Sequence, residues 1–140
     1  MLGGEYRHAL DQKNRIFTPA KLREELGSSF VVSKALRDKC LKVYSNQGWE
    51  AYLEPISAQN RKLQDVVKRL LNATSLQASP DAQGRIVLTQ ELVDYAEIKK
   101  NAVVVGCGDY AEIWSEENYE KMKSEINMED ILGQLEALGL

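Results

Sequence analysis

Two periods of apolar and polar residues interleave along this chain: the two-residue alternation of half-buried strands and the three-to-four-residue spacing of helices. Glu5 to Leu10 reads as a strand, Asp11 to Asn14 as a tight turn, and Arg15 to Thr18 as the returning strand. Thr18-Pro19 then offers an N-cap followed by proline at the first helical position. Leu22 and Leu26 give that segment an apolar edge and Gly27 supplies the stop, which predicts a two-turn helix. Phe30 to Ser33 and Cys40 to Tyr44 read as strands. So do Ala102 to Val105 and Tyr110 to Trp114, joined by Gly106-Cys107-Gly108-Asp109. Ser45 and Ser115 are placed to cap helices carrying Trp49, Tyr52 and Leu53 in one case and Tyr119 and Met122 in the other.

The pattern runs twice. Asp11-Gln12-Lys13-Asn14-Arg15-Ile16 returns as Asp81-Ala82-Gln83-Gly84-Arg85-Ile86, and Leu41-Lys42-Val43-Tyr44-Ser45 returns as Ala111-Glu112-Ile113-Trp114-Ser115, both 70 residues on. Neither half is long enough to bury a convincing core, so the two are expected to fold together as one pseudo-symmetric unit. Asn14 stands where the second copy has Gly84, and both types tolerate positive φ, so a left-handed turn residue is expected just before each arginine. Between the copies, Leu63, Val66, Val67, Leu70 and Leu71 recur at helical spacing, which predicts a helical linker. Ile131, Leu132, Leu135 and Leu138 form a stripe on a C-terminal helix that is marginal unless docked, a subunit contact being one possible dock.

Composition adds a division of labour. The chain has 140 residues, 44% of them hydrophobic, and a formal charge of −3. Residues 1–70 carry 13 Lys and Arg against 8 Asp and Glu, while residues 71–140 carry 5 against 13. A basic half suits phosphates; an acidic half repels nucleic acid or meets a basic neighbour in an assembly. With no bilayer-length apolar run and no basic or apolar leader at the N-terminus, a cytoplasmic address is expected. Cys40 and Cys107, with one histidine in the chain, make no four-ligand zinc site and read as two buried reduced thiols.

The chemistry points to arginines rather than to catalysis. Arg15 and Arg85 end their turns, with Lys13 and Arg7 flanking the first and Lys21 and Arg23 on the following helix. An arginine on a rigid turn forks two hydrogen bonds to phosphate or guanine. The alternative is that Asp11 and Asp81 pair with these arginines and staple the turns; both readings hold together. His8 has no counterpart in the second copy, no nucleophile arrangement or metal spacing is present, and no enzymatic activity or cofactor is expected. Tyr44, Trp49, Trp114 and Tyr119 read as core packing in preference to base-stacking platforms.

Gly4-Glu5-Tyr6-Arg7-His8-Ala9-Leu10-Asp11, the paired Asp-x-x-x-Arg motifs, Pro19-Ala20-Lys21-Leu22-Arg23, and Val103-Val104-Val105-Gly106 with Glu112-Ile113-Trp114-Ser115 together resemble the bacterial MraZ family over nearly the whole chain. One such Asp-to-Arg motif is weak; two at this separation with these flanks are specific. The resemblance implies an α+β fold: a pseudo-dimeric, AbrB-like β-barrel of swapped hairpins built from two internal repeats, with flanking helices. On that resemblance, residues 5–53 and 75–123 are expected to form SpoVT-AbrB-like repeats, 54–74 a helical linker and 124–140 a C-terminal helical tail. It further implies a ring-shaped homo-oligomer, association with the nucleoid, and sequence-specific control of transcription. The implied target is double-stranded DNA at promoter direct repeats upstream of the division and cell-wall operon.

Carried over residue by residue, the resemblance puts DNA contact on Arg15, Lys13, Arg7, Lys21 and Arg85, with Asp11, Asn14, Asp81 and Gly84 shaping the turns. Asn14 replaces the glycine expected in the first motif, and Thr89 the proline expected after the second. Ala82 and Gln83 leave the second motif without basic neighbours, so the first repeat is expected to dominate binding. The competing reading is a ring-forming structural or protein-interaction module with minor DNA binding, favoured by the overall acidity.

Overall fold

The computed structural model describes every residue, Met1–Leu140. The first copy supplies β1 (Glu5–Ala9), β2 (Arg15–Phe17), α1 (Ala20–Leu26), β3 (Phe30–Lys34), β4 (Leu41–Ser45) and α2 (Asn46–Leu53). A 3-10 turn (Glu54–Ala58), α3 (Arg61–Val67) and a π-helical turn (Lys68–Asn72) lead to the second copy. That copy supplies β5 (Leu76–Ala78), β6 (Arg85–Val87), α4 (Gln90–Tyr95), β7 (Asn101–Gly106), β8 (Ala111–Ser115) and α5 (Glu116–Ser124), and the chain closes with α6 (Met128–Ala137). No helix is long and apolar enough to cross a membrane.

Six strands form one antiparallel sheet in the order β1-β7-β8-β4-β3-β5, and β2 pairs with β6 in a separate ribbon. Exchanging each strand for its counterpart 70 residues away reverses that order and leaves it unchanged, so the duplication has become a pseudo-twofold axis. The axis passes through two cross-strand pairs of equivalent residues: Lys42 opposite Glu112 in the sheet, and Ile16 opposite Ile86 in the ribbon. β1 pairs with β7 and β5 with β3, so each copy's first strand lies on the other copy. Neither half closes without its partner.

Two expectations change here. β1 and β2 are not paired as hairpin arms: the turn closes through Asp11 N–H to Arg15 carbonyl at 3.0 Å, and the two strands then enter different sheets. The β-barrel is also not closed by hydrogen bonds; an open six-stranded sheet is covered by the two-stranded ribbon. The reason lies in the side chains. Ile16 and Ile86 point into a core with Phe30, Val43, Ile113 and Val104, so the ribbon serves as a lid on the sheet's apolar face and leaves the edges of that sheet unpaired.

Local signals account for most boundaries. Ser45 accepts from Gly48 N–H, Ser115 from Asn118 N–H and Thr89 from Leu92 N–H, so all three cap helices. Thr18 does not: Pro19 occupies the N-cap of α1 and accepts two helical amides through its carbonyl, while Thr18 is buried. On the opposite sheet face, Ala35, Cys40, Val103, Trp114 and Tyr119 form a second apolar cluster under α5. Tyr44 is buried and packs with Trp49, Tyr52 and Tyr110 beside α2. Cys40 is buried as expected, but Cys107 is exposed, because the glycine loop joining β7 to β8 carries it beyond the sheet.

Candidate nucleic-acid interface

Each Asp-to-Arg turn is built around one carboxylate. Asp11 Oδ1 accepts the N–H groups of Lys13 at 2.9 Å and Arg15 at 2.8 Å, and Oδ2 accepts Arg15 Nε at 2.6 Å. Asp81 repeats the arrangement, accepting from Gln83 and Arg85 N–H at 2.9 Å and from Arg85 Nε at 3.1 Å. The backbone N–H of the arginine, more than any other group, holds each aspartate below the usual carboxylate range. Asn14 at φ 58° and Gly84 at φ 80° supply the left-handed residue that lets the chain double back onto its carboxylate. The stapled turn and the aimed arginine are therefore one device.

The two turns are locked to each other as well. Thr18 N–H donates to the Gly84 carbonyl and Leu88 N–H to the Asn14 carbonyl, both at 2.8 Å, which extends the ribbon beyond its three paired residues. Arg15 lies opposite Val87, and Phe17 opposite Arg85. Because strand side chains alternate, these four share the ribbon face turned away from Ile16 and Ile86. Arg15 and Arg85 are diagonal neighbours on that face, with Cα atoms about 7–8 Å apart. No protein group hydrogen-bonds their terminal guanidinium nitrogens, and each side chain is about one-third exposed (30% and 31%). The fold thus places two arginine forks, one from each copy, side by side on a two-stranded ribbon.

Other basic residues separate into distinct environments. Lys13 is exposed on the first turn. Lys21 is exposed on α1 but lines a shallow cleft with Tyr6, Glu24 and Glu25. Arg7 is tied into an acidic cluster, 2.7 Å from Glu120, 3.3 Å from Glu116 and 3.7 Å from Glu5, so it fastens β1 to α5. Glu5 in turn accepts from the Tyr119 hydroxyl, which lowers the Glu5 pKa and, with burial as the larger cause, pushes Tyr119 up to about 12.

Two residues, Val87 and Gln90, escape sequence reasoning, which reads Arg23 as a basic neighbour without its contacts. Val87 is 58% exposed beside Arg15, an apolar contact on the same outer face. Arg23 donates to the Thr18 carbonyl at 2.8 Å, and its guanidinium covers the Phe17 ring at 5.7 Å. Gln90 accepts from Asn14 Nδ2 at 3.0 Å and braces the first turn from α4. Val87 stands in the apolar run Ile86-Val87-Leu88, which does not mark it as outward-facing; the Arg23 contacts stay within the first copy, and the Asn14–Gln90 bond crosses the pseudo-axis. His8 packs edge-on against Phe17. No three His, Cys, Asp or Glu side chains converge on a common point.

The surface assembled here is an arginine-tipped ribbon that also carries Phe17 and the exposed Val87. Comparison with known proteins agrees with its duplicated origin. The model of the MraZ protein family, described as antitoxin-like, matches residues 1–74 and again 69–137. A protein of Clostridium acetobutylicum named "Transcriptional regulator MraZ" is 38% identical, covering 100% of both chains. One of the same name from Carboxydothermus hydrogenoformans is 43% identical over 84% of this chain and 82% of its own. A third, from Pediococcus pentosaceus, is 37% identical over the full length of both. With two matches to one family model in tandem and full-length relatives at this identity, the chain belongs to the MraZ family.

Proposed function

We propose that this chain is a DNA-binding transcriptional regulator that meets double-stranded DNA with the outer face of the β2–β6 ribbon. The observation that carries the reading is the pair of outward arginines at the ends of stapled turns, joined across the pseudo-axis. A two-stranded ribbon fits the major groove, where an arginine fork reads guanine O6 and N7 or grips phosphate. Lys13 adds charge to the first turn; Lys21 and Arg7 serve DNA only from further out, Arg7 after giving up its glutamates. The names of the relatives support regulation of transcription.

The finer reading is that the protein is a ring-shaped homo-oligomer, associated with the nucleoid, whose copies engage direct repeats upstream of the division and cell-wall operon. Each contact is weak, and linking several raises effective concentration. Capture of sheared genomic DNA on the purified protein, followed by sequencing, tests the target: enrichment of repeated boxes before that operon is expected. Uniform recovery of the genome contradicts it. The competing reading, an interaction module with minor DNA binding, draws on the exposed apolar stripe of α6 and the acidity around it.

A further inference from the structure

Two helical segments of this chain leave apolar stripes in water, and their charges are opposite. On α6 and its approach, every residue from 125 to 140 is exposed. Met128, Ile131, Leu132 and Leu135 recur there at helical spacing, 57%, 41%, 56% and 36% exposed. A helix of ten residues is too short to persist alone, since isolated helices below about 12–15 residues are marginal in water. Its charged residues are all acidic, Glu129, Asp130 and Glu136, and no Lys or Arg follows Lys123.

The second stripe is on α3 and the π turn. Leu63, Val66 and Leu70 are 39%, 37% and 57% exposed, beside Arg61, Lys62, Lys68 and Arg69 with Asp65 as the lone acid. Lys62 and Arg69 are seven residues apart, and so are Glu129 and Glu136. Seven residues span two helical turns, about 10.5 Å at 1.5 Å per residue, so either pair runs along one edge of its stripe at matching intervals.

We propose that α6 of one copy docks along α3 and the π turn of a neighbouring copy, apolar stripe on apolar stripe, with Glu129 and Glu136 against Lys62 and Arg69. The proposal rests on the homo-oligomeric reading and names the contact that builds it. Pairing α6 with another α6 sets acid against acid, and pairing α3 with α3 sets base against base; only the mixed pair is complementary. A contact between two different patches of identical chains is heterologous, the kind that propagates head to tail and closes into rings.

The test is sedimentation velocity on the full-length protein and four variants at one concentration: Leu132→Asp with Leu135→Asp, Lys62→Glu with Arg69→Glu, Glu129→Lys with Glu136→Lys, and the two charge reversals combined. Circular dichroism checks that each is folded; all the changed side chains are exposed, so the core is untouched. The wild type is expected to assemble. Each of the first three variants should weaken assembly about tenfold or more, and the combined reversal should restore it.

Assembly that survives Leu132→Asp with Leu135→Asp overturns this contact and leaves oligomerisation standing on another surface. Failure of the combined reversal to restore assembly removes α3 as the acceptor. Loss of DNA binding by Lys62→Glu with Arg69→Glu, without change of mass, assigns the basic helix to nucleic acid and overturns the proposal. A monomeric wild type overturns both this contact and the oligomeric reading.

Discussion

Ile16 and Ile86 face each other across the ribbon, and each is also the other's equivalent in the duplicated sequence. Both are buried, at 1% and 2% exposure, directly beneath the outward arginines. One pair therefore marks the pseudo-axis, seals the core and sets the ribbon's register, since a one-residue slip would turn the arginines inward.

Truncating either isoleucine to alanine should cost about 2–5 kcal/mol of stability, the range for a large-to-small change in a packed core. The two single variants should be similarly destabilised in chemical denaturation. The double variant should depart from additivity because the side chains share one site. Strictly additive losses, or a large difference between the two, would deny the pseudo-symmetric role.

The turns predict unequal effects for substitutions at two equivalent residues. Gly84 is at φ 80°, and a Cβ there would meet the Arg23 guanidinium at 2.9 Å and the Phe17 ring at 3.0 Å. Gly84→Ala should destabilise by about 1–2 kcal/mol from the left-handed backbone alone and should displace Arg23. Asn14→Gly should be close to neutral, because relief at φ 58° offsets loss of the Asn14–Gln90 hydrogen bond. Thermal melts of the two variants check this ordering.

Acid should loosen the same turns. Asp11 and Asp81 have pKa values lowered on folding, so each contributes stability above its unfolded pKa and loses it as pH falls through the folded value. Glu5 shifts in the same direction through the Tyr119 hydroxyl. Melting temperature should fall as pH is taken from neutrality through and below the ordinary carboxylate range. Asp11→Asn combined with Asp81→Asn should flatten that dependence without abolishing it, since Glu5 remains. An unchanged slope would mean the turn carboxylates are not responsible.

The cysteines should differ in kind. Burial of its sulfur and the neighbouring Glu112 carboxylate push Cys107 up to about 11, so it is a neutral, sluggish thiol at pH 7 although the residue is exposed. Cys40 is fully buried and raised further, mainly by burial. Alkylation by iodoacetamide should modify one thiol per folded chain, slowly at pH 7 and faster as pH rises toward 10. Glu112→Gln should speed it. Modification of both thiols at equal rates would contradict the packing around Cys40.

Much of this fold was legible because the signals are local. The serine caps before α2 and α5 and the positive φ at Asn14 and Gly84 each depend on a few neighbouring residues, and the repeat emerges when such short segments are compared 70 residues apart. What was not legible depends on partners far along the chain. The turn after β1 predicts a hairpin, yet Val103 and its neighbours take β1 while Ile86 and its neighbours take β2. Thr18 carries a capping residue's chemistry but extends the ribbon and is buried, leaving the role to Pro19. Arg7 reads as a basic residue beside the motif; only the fold reveals the three glutamates that hold it. Val87 was passed over because exposure of an apolar residue is a property of the assembled face.

The central claim is that the ribbon's arginines bind DNA, and fluorescence anisotropy tests it most directly. Wild type, Arg15→Ala, Arg85→Ala and Arg7→Ala are titrated against DNA from upstream of the division and cell-wall operon and against scrambled DNA, with salt varied. The account predicts salt-sensitive, sequence-dependent binding, with a log-log slope of about −0.9 per phosphate neutralised. Arg15→Ala should lose about 1–3 kcal/mol of specific binding, Arg85→Ala less, and Arg7→Ala least. Unchanged affinity in Arg15→Ala, or equal weak binding to both DNAs, would contradict it and shift the protein toward an assembly that meets other proteins.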